Sequence, residues 1–425
     1  MPTDHAGQLI DFALHFALQQ ASDSARDRAR LLVLDTCGAM LAAVPHPIGR
    51  IAHDQALRTR ALNESSLAGG DVRVGMLEAA QANGILANAV DFDEGSHVAT
   101  VALPAALAMA EKMSLSGADF LAAFIVAFEI ASRLREAIAP ALGQRGLWHI
   151  GHVGPLAAAL CGARLLALDA GRARMALSIA TASSSGYRRH LGTMTKALHS
   201  GHAARSGLEA ALLARDGFTA DADMFDAEDG WLASLTTAPA HGALQDLLKS
   251  PLILDQPTKI KVMPVCTPIA PALDAITSCL RRHDIAAADI VRLATDLKRG
   301  SLVRDRPDDL DAAPFSARFL IALAITHGVA LHTISEEALI DPVIVDLMGR
   351  IDDVPGMKSV RLTLANGREL EEPLGPVRRL TTRDEITAKF RVCAGAVWSE
   401  PHIAAFIDKA LAMDTLADIN QLFAS

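Results

Sequence analysis

Apolar residues recur three and four positions apart through most of the first 265 positions, the period of α-helices that turn one face to a core. Residues 22–45 carry Leu31, Leu34, Cys37 and Leu41 at that spacing, behind Ser22 and Ser24, either of which can cap a helix. Further helices are predicted over 75–90, 103–115, 117–138, 153–168, 172–186 and 199–216, with Gly217 as the stop of the last. The 117–138 segment is nearly all apolar. Its Glu129 and Arg133 stand one helical turn apart, placed to pair where charge is otherwise excluded.

Beyond residue 266 the period changes. Residues 268–283 still read as a helix, but 289–297 alternates through Val291, Leu293, Thr295 and Leu297, which suits a half-buried strand. Residues 358–364 alternate again through Val360, Leu362 and Leu364. Asn366 and Gly367 then signal a hairpin turn, with 368–374 as the return strand. Helices are predicted over 317–328 and 335–350, and the pattern is helical once more over 400–423. The expectation is a mainly α protein. A large all-helical domain is formed by 1–265 together with 393–425, and a smaller α+β domain by 266–392. No internal repeat or low-complexity linker interrupts it.

Composition sharpens this picture. Of the 425 residues 51% are hydrophobic but only 4% aromatic. The apolar share is therefore mostly Ala and Leu, strong helix formers that allow close helix packing. The net charge of −9 argues against a nucleic-acid or anionic-membrane partner, since both need a basic face. An acidic substrate remains compatible, because a single pocket can be locally positive. Five scattered cysteines without a C-x-x-C point to a reducing compartment rather than a disulfide framework. The first residues, with Asp4, His5, Asp11 and His15, lack the pattern of a signal peptide. The apolar run 120–128 is far below the roughly 20 residues of a membrane span. A soluble, cytoplasmic protein is expected.

Four polar clusters break the apolar pattern at inferred ends of elements, where scaffolds present functional groups. They are Asp91, Asp93, Glu94 and His97; Trp148, His149 and His152; Tyr187 to His190 with Gly192 to His199; and Lys259, Lys261 and Cys266. Several cations near one another suit a substrate with several carboxylates. Removing a proton alpha to a carboxylate builds negative charge there, which fixed cations such as Lys196 and Lys261 would stabilise. A histidine can take or return the proton, and Asp91 can orient it or act as an acid. Blander roles compete. His149/His152 and His199/His202 have the H-x-x-H spacing of metal ligands, but no H-E-x-x-H occurs. Lone histidines are more often structural, lysines more often solvated, and Arg188 and Arg189 more often ion-paired than catalytic. Cys266 has no activating neighbour in sequence and reads as structural. No phosphate-binding glycine motif is present. Neither a metal nor a cofactor is expected.

The stretches LLVLDTCGAMLA (31–42), ANGILANAVDFDEG (82–95), LPAALAMAE (103–111) and LWHIGHVGPLAAA (147–159) carry a resemblance to the MmgE/PrpD family. So do GTMTKALHSGHAARSGLEAALLARDGFTA (192–220), KIKVMPVCTPI (259–269) and the region of Phe315 and Ser316. The resemblance covers nearly the whole chain in order. It implies a helical domain with an α+β lid, usually in a homodimer. Its members include 2-methylcitrate dehydratase, cis-aconitate decarboxylase and iminodisuccinate epimerase. It implies catalytic positions at Asp91, His97, His149, Lys196 and Lys261, and Ser96, Thr195, His199 and Arg318 are the candidate substrate-binding residues.

The chain departs from the family's pattern around the loop and lid. The loop 91–97 is about four residues shorter than in dehydratase and decarboxylase members. Gly95 replaces a usual Thr, Val98 follows His97 where Pro is common, and Thr267-Pro268 replaces a frequent His. Arg318 enters the Phe315-Ser316 stretch, and the chain's one tyrosine, Tyr187, lies elsewhere. The expectation is a cofactor-independent lyase of dehydratase type, abstracting a proton alpha to a carboxylate of a small di- or tricarboxylic acid. The alternatives are an epimerase of an iminodisuccinate-like dicarboxylate and a decarboxylase of a cis-aconitate-like acid.

Overall fold

The computed structural model describes residues 4–236, 252–298 and 304–424. Its first part runs through α1 (His5–His15), α2 (Asp23–Ala43), α3 (Pro47–Ala56), the short β1 (Ser65–Ser66) and β2 (Arg73–Val74), α4 (Met76–Ala89), α5 (Ala99–Lys112), α6 (Gly117–Gln144), α7 (His149–Leu165), α8 (Ala170–Thr181), α9 (Met194–Arg215) and α10 (Trp231–Leu235). Side chains of Ser22, Ser116 and Asp169 accept the N–H of Ala25, Asp119 and Arg172, so α2, α6 and α8 start where the capping residues stand.

The second part contains α11 (Ala270–His283), β3 (Ile290–Thr295), α12 (Ala317–Thr326), α13 (Glu336–Ile340), α14 (Pro342–Gly349), β4 (Ile351–Asp353), β5 (Ser359–Leu364), β6 (Glu369–Pro373), α15 (Arg383–Ala394) and α16 (Glu400–Leu411). The strands lie in the order β4-β3-β5-β6, with β3 parallel to β4 and antiparallel to β5. Gly367, at φ 78°, makes the β5–β6 turn that the Asn366-Gly367 pair announced. The chain is mainly α with a smaller α+β region.

Two hydrophobic clusters form. One gathers Leu32, Phe120, Phe124, Leu208 and Ile260, and the chain has returned to it by Ile386 and Phe390 of α15. The other gathers Ile276, Leu293, Phe319, Ile344 and Leu362. Within the first, glycine sets the spacing of α4, α7 and α9. A Cβ on Gly84 would come within 2.7 Å of the Gly201 Cα, and one on Gly207 within 2.4 Å of the Pro155 carbonyl oxygen. This close approach is why small residues dominate the apolar composition, and it draws the starts of α7 and α9 together. Among the described residues no single helix is long and apolar enough to cross a membrane.

Several elements differ from the sequence expectation. α7 and α9 start at His149 and Met194, four and five residues before the predicted starts at 153 and 199, because their polar first turns are packed against neighbours instead of belonging to a loop. Gly151 is not a break: a Cβ there would lie 1.8 Å from the Ser185 carbonyl oxygen, so the glycine admits a passing chain. The helix predicted over 335–350 is divided at Pro342, which opens a second helix at its first turn. α1, α3, α10, α15, the short β1 and β2 and the three-residue β4 escaped the periodicity. α15 carried a legible signal, the reciprocal Thr382–Glu385 capping box.

Candidate active site

Loop 91–97 joins α4 to α5 and is held from three sides. The Glu94 carboxylate accepts the Ser96 and Val98 N–H groups at 2.8 and 2.9 Å and the Ser96 hydroxyl at 2.5 Å, so it caps the entry to α5. Gly95 N–H donates to the Lys259 carbonyl at 2.8 Å, and Ile260 bridges to both Glu94 and Leu380. Lys389 of α15 donates to the Phe92 carbonyl at 2.6 Å and lies over the Phe92 ring. Asp91 and His97, the loop's ends, both take left-handed backbone conformations, with φ 51° and 64°. Such strain, of order 1–3 kcal/mol per residue, persists where the surroundings fix it and is common at functional sites.

The side chains converge on Asp91. Lys196, in the first turn of α9, donates to its Oδ1 at 2.6 Å and to the Asn88 carbonyl at 3.2 Å. Lys261 donates to its Oδ2 at 2.8 Å and to its backbone carbonyl at 2.9 Å. All three residues are buried. Burial works to raise the Asp91 pKa, but Lys196, then Lys261 and His97, outweigh it and hold the carboxyl well below the usual carboxylate range. Burial likewise works against the Lys261 charge, and Asp91 and Asp93 outweigh it, so its pKa lies above the ordinary lysine value. Each ammonium has three N–H groups and gives two to these bonds, which leaves each one more to offer.

His97 stands beside this group. Its Nδ1 is 2.6 Å from Asp93 Oδ2, and its Nε2 is 3.9 Å from Asp91 Oδ1. Asp93 therefore accepts the Nδ1 proton and orients the ring, leaving Nε2 to accept or return a proton. Burial pushes the Asp93 pKa up, but His97 reverses this and holds it low. His149, at the start of α7, approaches the Ser96 carbonyl through Nε2 at 3.2 Å. Burial first, then the charges of Arg135 and His97, lower its pKa to about 3, so it is neutral over the physiological range. The Trp148 indole lies between the two histidines, 5.8 Å from the His97 ring and 4.5 Å from His149.

All five expected catalytic residues are thus placed around one loop. Of the four expected substrate contacts, Ser96 lies in the same loop with its carbonyl against His149, whereas Thr195, His199 and Arg318 are turned elsewhere. The Ser96 hydroxyl is taken by Glu94. Thr195 faces a separate apolar cavity of about 480 Å³ with Ile51 and Ile85, because the residue before Lys196 on a helix points about 100° away from it. His199 lies one turn beyond Lys196 and packs against His190, with ring centroids 5.6 Å apart. Arg318 is tied to Asp305 at 2.9 Å and to the carbonyls of Met348 and Ile351, inside the second cluster. Asp93 was visible in the acidic stretch, but its role behind His97 depends on the loop's curl. Trp148 stood in the second polar cluster, and Asn88 gave no signal of its own. Cys266 is pushed up to about 12 by burial and by Asp91, which makes it a neutral thiol.

Asp91, Asp93 and His97 offer ligand atoms within 4.8 Å of one another. The ammoniums of Lys196 and Lys261 already lie on both Asp91 oxygens, however, and a dication there would meet two positive charges at contact distance. The donor set fits an ion-paired carboxylate better than a metal.

The family description "MmgE/PrpD N-terminal domain" matches residues 7–242, and "MmgE/PrpD C-terminal domain" matches residues 263–414. Human cis-aconitate decarboxylase is 26% identical, with 94% of this chain and 90% of the relative aligned. A cis-aconitate decarboxylase-like protein of Aspergillus oryzae is 28% identical over 84% of each. Cis-aconitate decarboxylase of Aspergillus terreus is 24% identical over 98% of this chain and 94% of its own.

Proposed function

The chain belongs to the MmgE/PrpD family, and from that premise we propose that it is a cofactor-independent lyase acting on a small di- or tricarboxylic acid, with a proton transferred on a carbon next to a carboxylate. The observation that carries this reading is the clamp of Asp91 between two buried ammoniums, each with an N–H left over, directly beside the His97–Asp93 pair.

In this reading the two spare N–H groups bind a substrate carboxylate and stabilise the charge that grows on it. His97 Nε2 moves the proton, and Asp93 holds the ring and balances its charge. His149, held neutral, supplies a hydrogen bond rather than a proton. The similarity to cis-aconitate decarboxylases favours decarboxylation of an unsaturated tricarboxylate over dehydration. The carbon–carboxylate bond breaks, carbon dioxide leaves, the electron pair shifts through the double bond, and His97 delivers a proton to the far carbon. Dehydration uses the same groups in the other sense: His97 takes the alpha proton, the carbon–oxygen bond breaks, and the departing hydroxide takes that proton up from His97 to leave as water. We also propose that the enzyme works as a homodimer.

Proton NMR in D₂O with cis-aconitate, citrate-like, malate-like and aminodicarboxylate compounds tests this. A deuterated product with loss of carbon dioxide from an unsaturated acid is expected, and His97→Asn should abolish it. New alkene signals from a hydroxy acid would move the reading to dehydration. Exchange without a new product would move it to epimerisation. No exchange and no product from any member of the panel would overturn it.

A further inference from the structure

A cavity of about 430 Å³ opens beside loop 91–97, lined by Glu94 and Ser96 of the loop and by Ser132, Arg135 and Lys259, without Lys196 or Lys261 in its lining. Two buried polar atoms in its wall, the Ser132 hydroxyl oxygen and the Arg135 Nε, have no hydrogen-bond partner. Ser132 is only 5% exposed. A buried donor without an acceptor costs on the order of 1–3 kcal/mol, so two in one wall call for a ligand or solvent that accepts from both. Ser132 and Arg135 are three apart on α6 and so share one face.

The acidic groups of the wall already have donors or stand at its mouth, and three cations, Arg133, Arg135 and Lys259, outnumber Glu94 and Glu136 in the lining. The Glu94 carboxylate is occupied by Ser96 and the Val98 N–H. Glu129 accepts the Ile253 and Leu254 N–H groups at 2.9 and 3.1 Å and pairs with Arg133, fixing the short helical turn Ile253–Asp255 that faces it across the wall. The other acidic residue of the lining, Glu136, is exposed at the mouth. Arg135 in the interior and Lys259 at the rim thus face the cavity as cations. The field of Arg135 reaches His149, which it helps to keep neutral.

We propose that this cavity is a carboxylate-binding site for a small di- or tricarboxylic acid, with Arg135 and Ser132 as the donors at its floor and Lys259 at its rim. The acid class rests on the lyase reading above, whereas the anion site rests on the cavity alone. Position gives the site a role: its wall is Ser96, whose carbonyl faces His149 and whose neighbour is His97. A carboxylate seated there sets the loop that carries the proton-transfer residue.

Calorimetric titration with tricarballylate, a tricarboxylate with no hydroxyl to lose, tests the site without turnover. Loss of the Arg135 charge-assisted bonds in Arg135→Gln should weaken binding roughly tenfold to a hundredfold. Ser132→Ala should cause a smaller loss, and Arg135→Lys should recover part of it. If Arg135→Gln lowers the melting temperature, the exposed Lys259→Gln carries the test, again with weaker binding. Lys196→Met separates two sources of the carboxylate. One molecule reaching both places would be weakened by Lys196→Met and Arg135→Gln alike. A second molecule would give two bound per wild-type chain, with one surviving in Lys196→Met. Both results support the site. Unchanged affinity and stoichiometry in both Arg135→Gln and Ser132→Ala would overturn it, as would no binding to the wild type at millimolar tricarballylate. Failure of the lyase reading would be seen separately, as no product from the NMR panel with tricarballylate binding intact.

Discussion

Replacing Lys389 with methionine should destabilise the protein by an amount that grows steeply with pH. The Lys389 Nζ is 2.6 Å from Asp35 Oδ1, and both residues are buried. Burial raises the Asp35 pKa from 3.8 to about 6, even though Lys389 opposes the rise. Two units correspond to about 3 kcal/mol. Because the folded value lies above the unfolded one, this contribution to stability is full below about pH 4 and lost as pH climbs through 6. Without Lys389 the folded value moves higher still, so the loss continues to higher pH. At pH 5 Asp35 already carries its proton, and the variant should lose only the bond to the Phe92 carbonyl and the contact with its ring, about 1–2 kcal/mol. At pH 8 it leaves a buried carboxylate without its cation, which costs about 3–5 kcal/mol. Urea unfolding of wild type and Lys389→Met at both pH values gives the two differences, and adding Asp35→Asn should remove the pH dependence. Equal destabilisation at pH 5 and pH 8 would refute the ion pair as the cause.

Lys196→Met removes one of the two ammoniums on Asp91, and turnover of the responsive acid in the NMR assay should fall about a hundredfold or more, with the fold retained by circular dichroism. Asp93→Asn should slow proton exchange less than His97→Asn does, since it removes the orienting partner and not the base; equal losses would mean that Asp93 reacts directly. His149 has its pKa lowered to about 3, so it favours stability above the unfolded value of about 6.5 and that contribution is lost as pH falls from there toward 3. His149→Gln should therefore flatten the acid side of the stability–pH curve, measured by thermal melts, while the pH dependence of turnover keeps its shape. Dialysis against EDTA should leave turnover unchanged, because two lysines already occupy Asp91; a loss restored by a divalent metal would contradict that charge count.

How much was legible in the chain depends on the range of the interaction. Helical periodicity and the serine and aspartate caps fixed most helices, because both depend on neighbours within one turn. The break in period near residue 266 and the Asn366-Gly367 turn announced the α+β part for the same reason. The chemistry of the site was also readable as residue types, since Asp91, His97, His149, Lys196 and Lys261 interrupt apolar stretches that have no other use for charge. The sequence could not say that both lysines share one carboxylate, or that Asp93 and not Asp91 backs His97. Those pairings join residues up to 170 positions apart: Lys196 reaches Asp91 because Gly84, Gly201 and Gly207 let α4, α7 and α9 close on one another, and Lys261 because the 259–261 segment is pinned to the loop through Gly95 and Glu94. Tertiary packing likewise turned Thr195 away, tied Arg318 inside the second cluster and left Ser132 and Arg135 facing a cavity. The loop 91–97 shows both sides. Its acidic pattern stands in the sequence, but the left-handed turns at Asp91 and His97 that aim it are imposed by the helices and lysines around it.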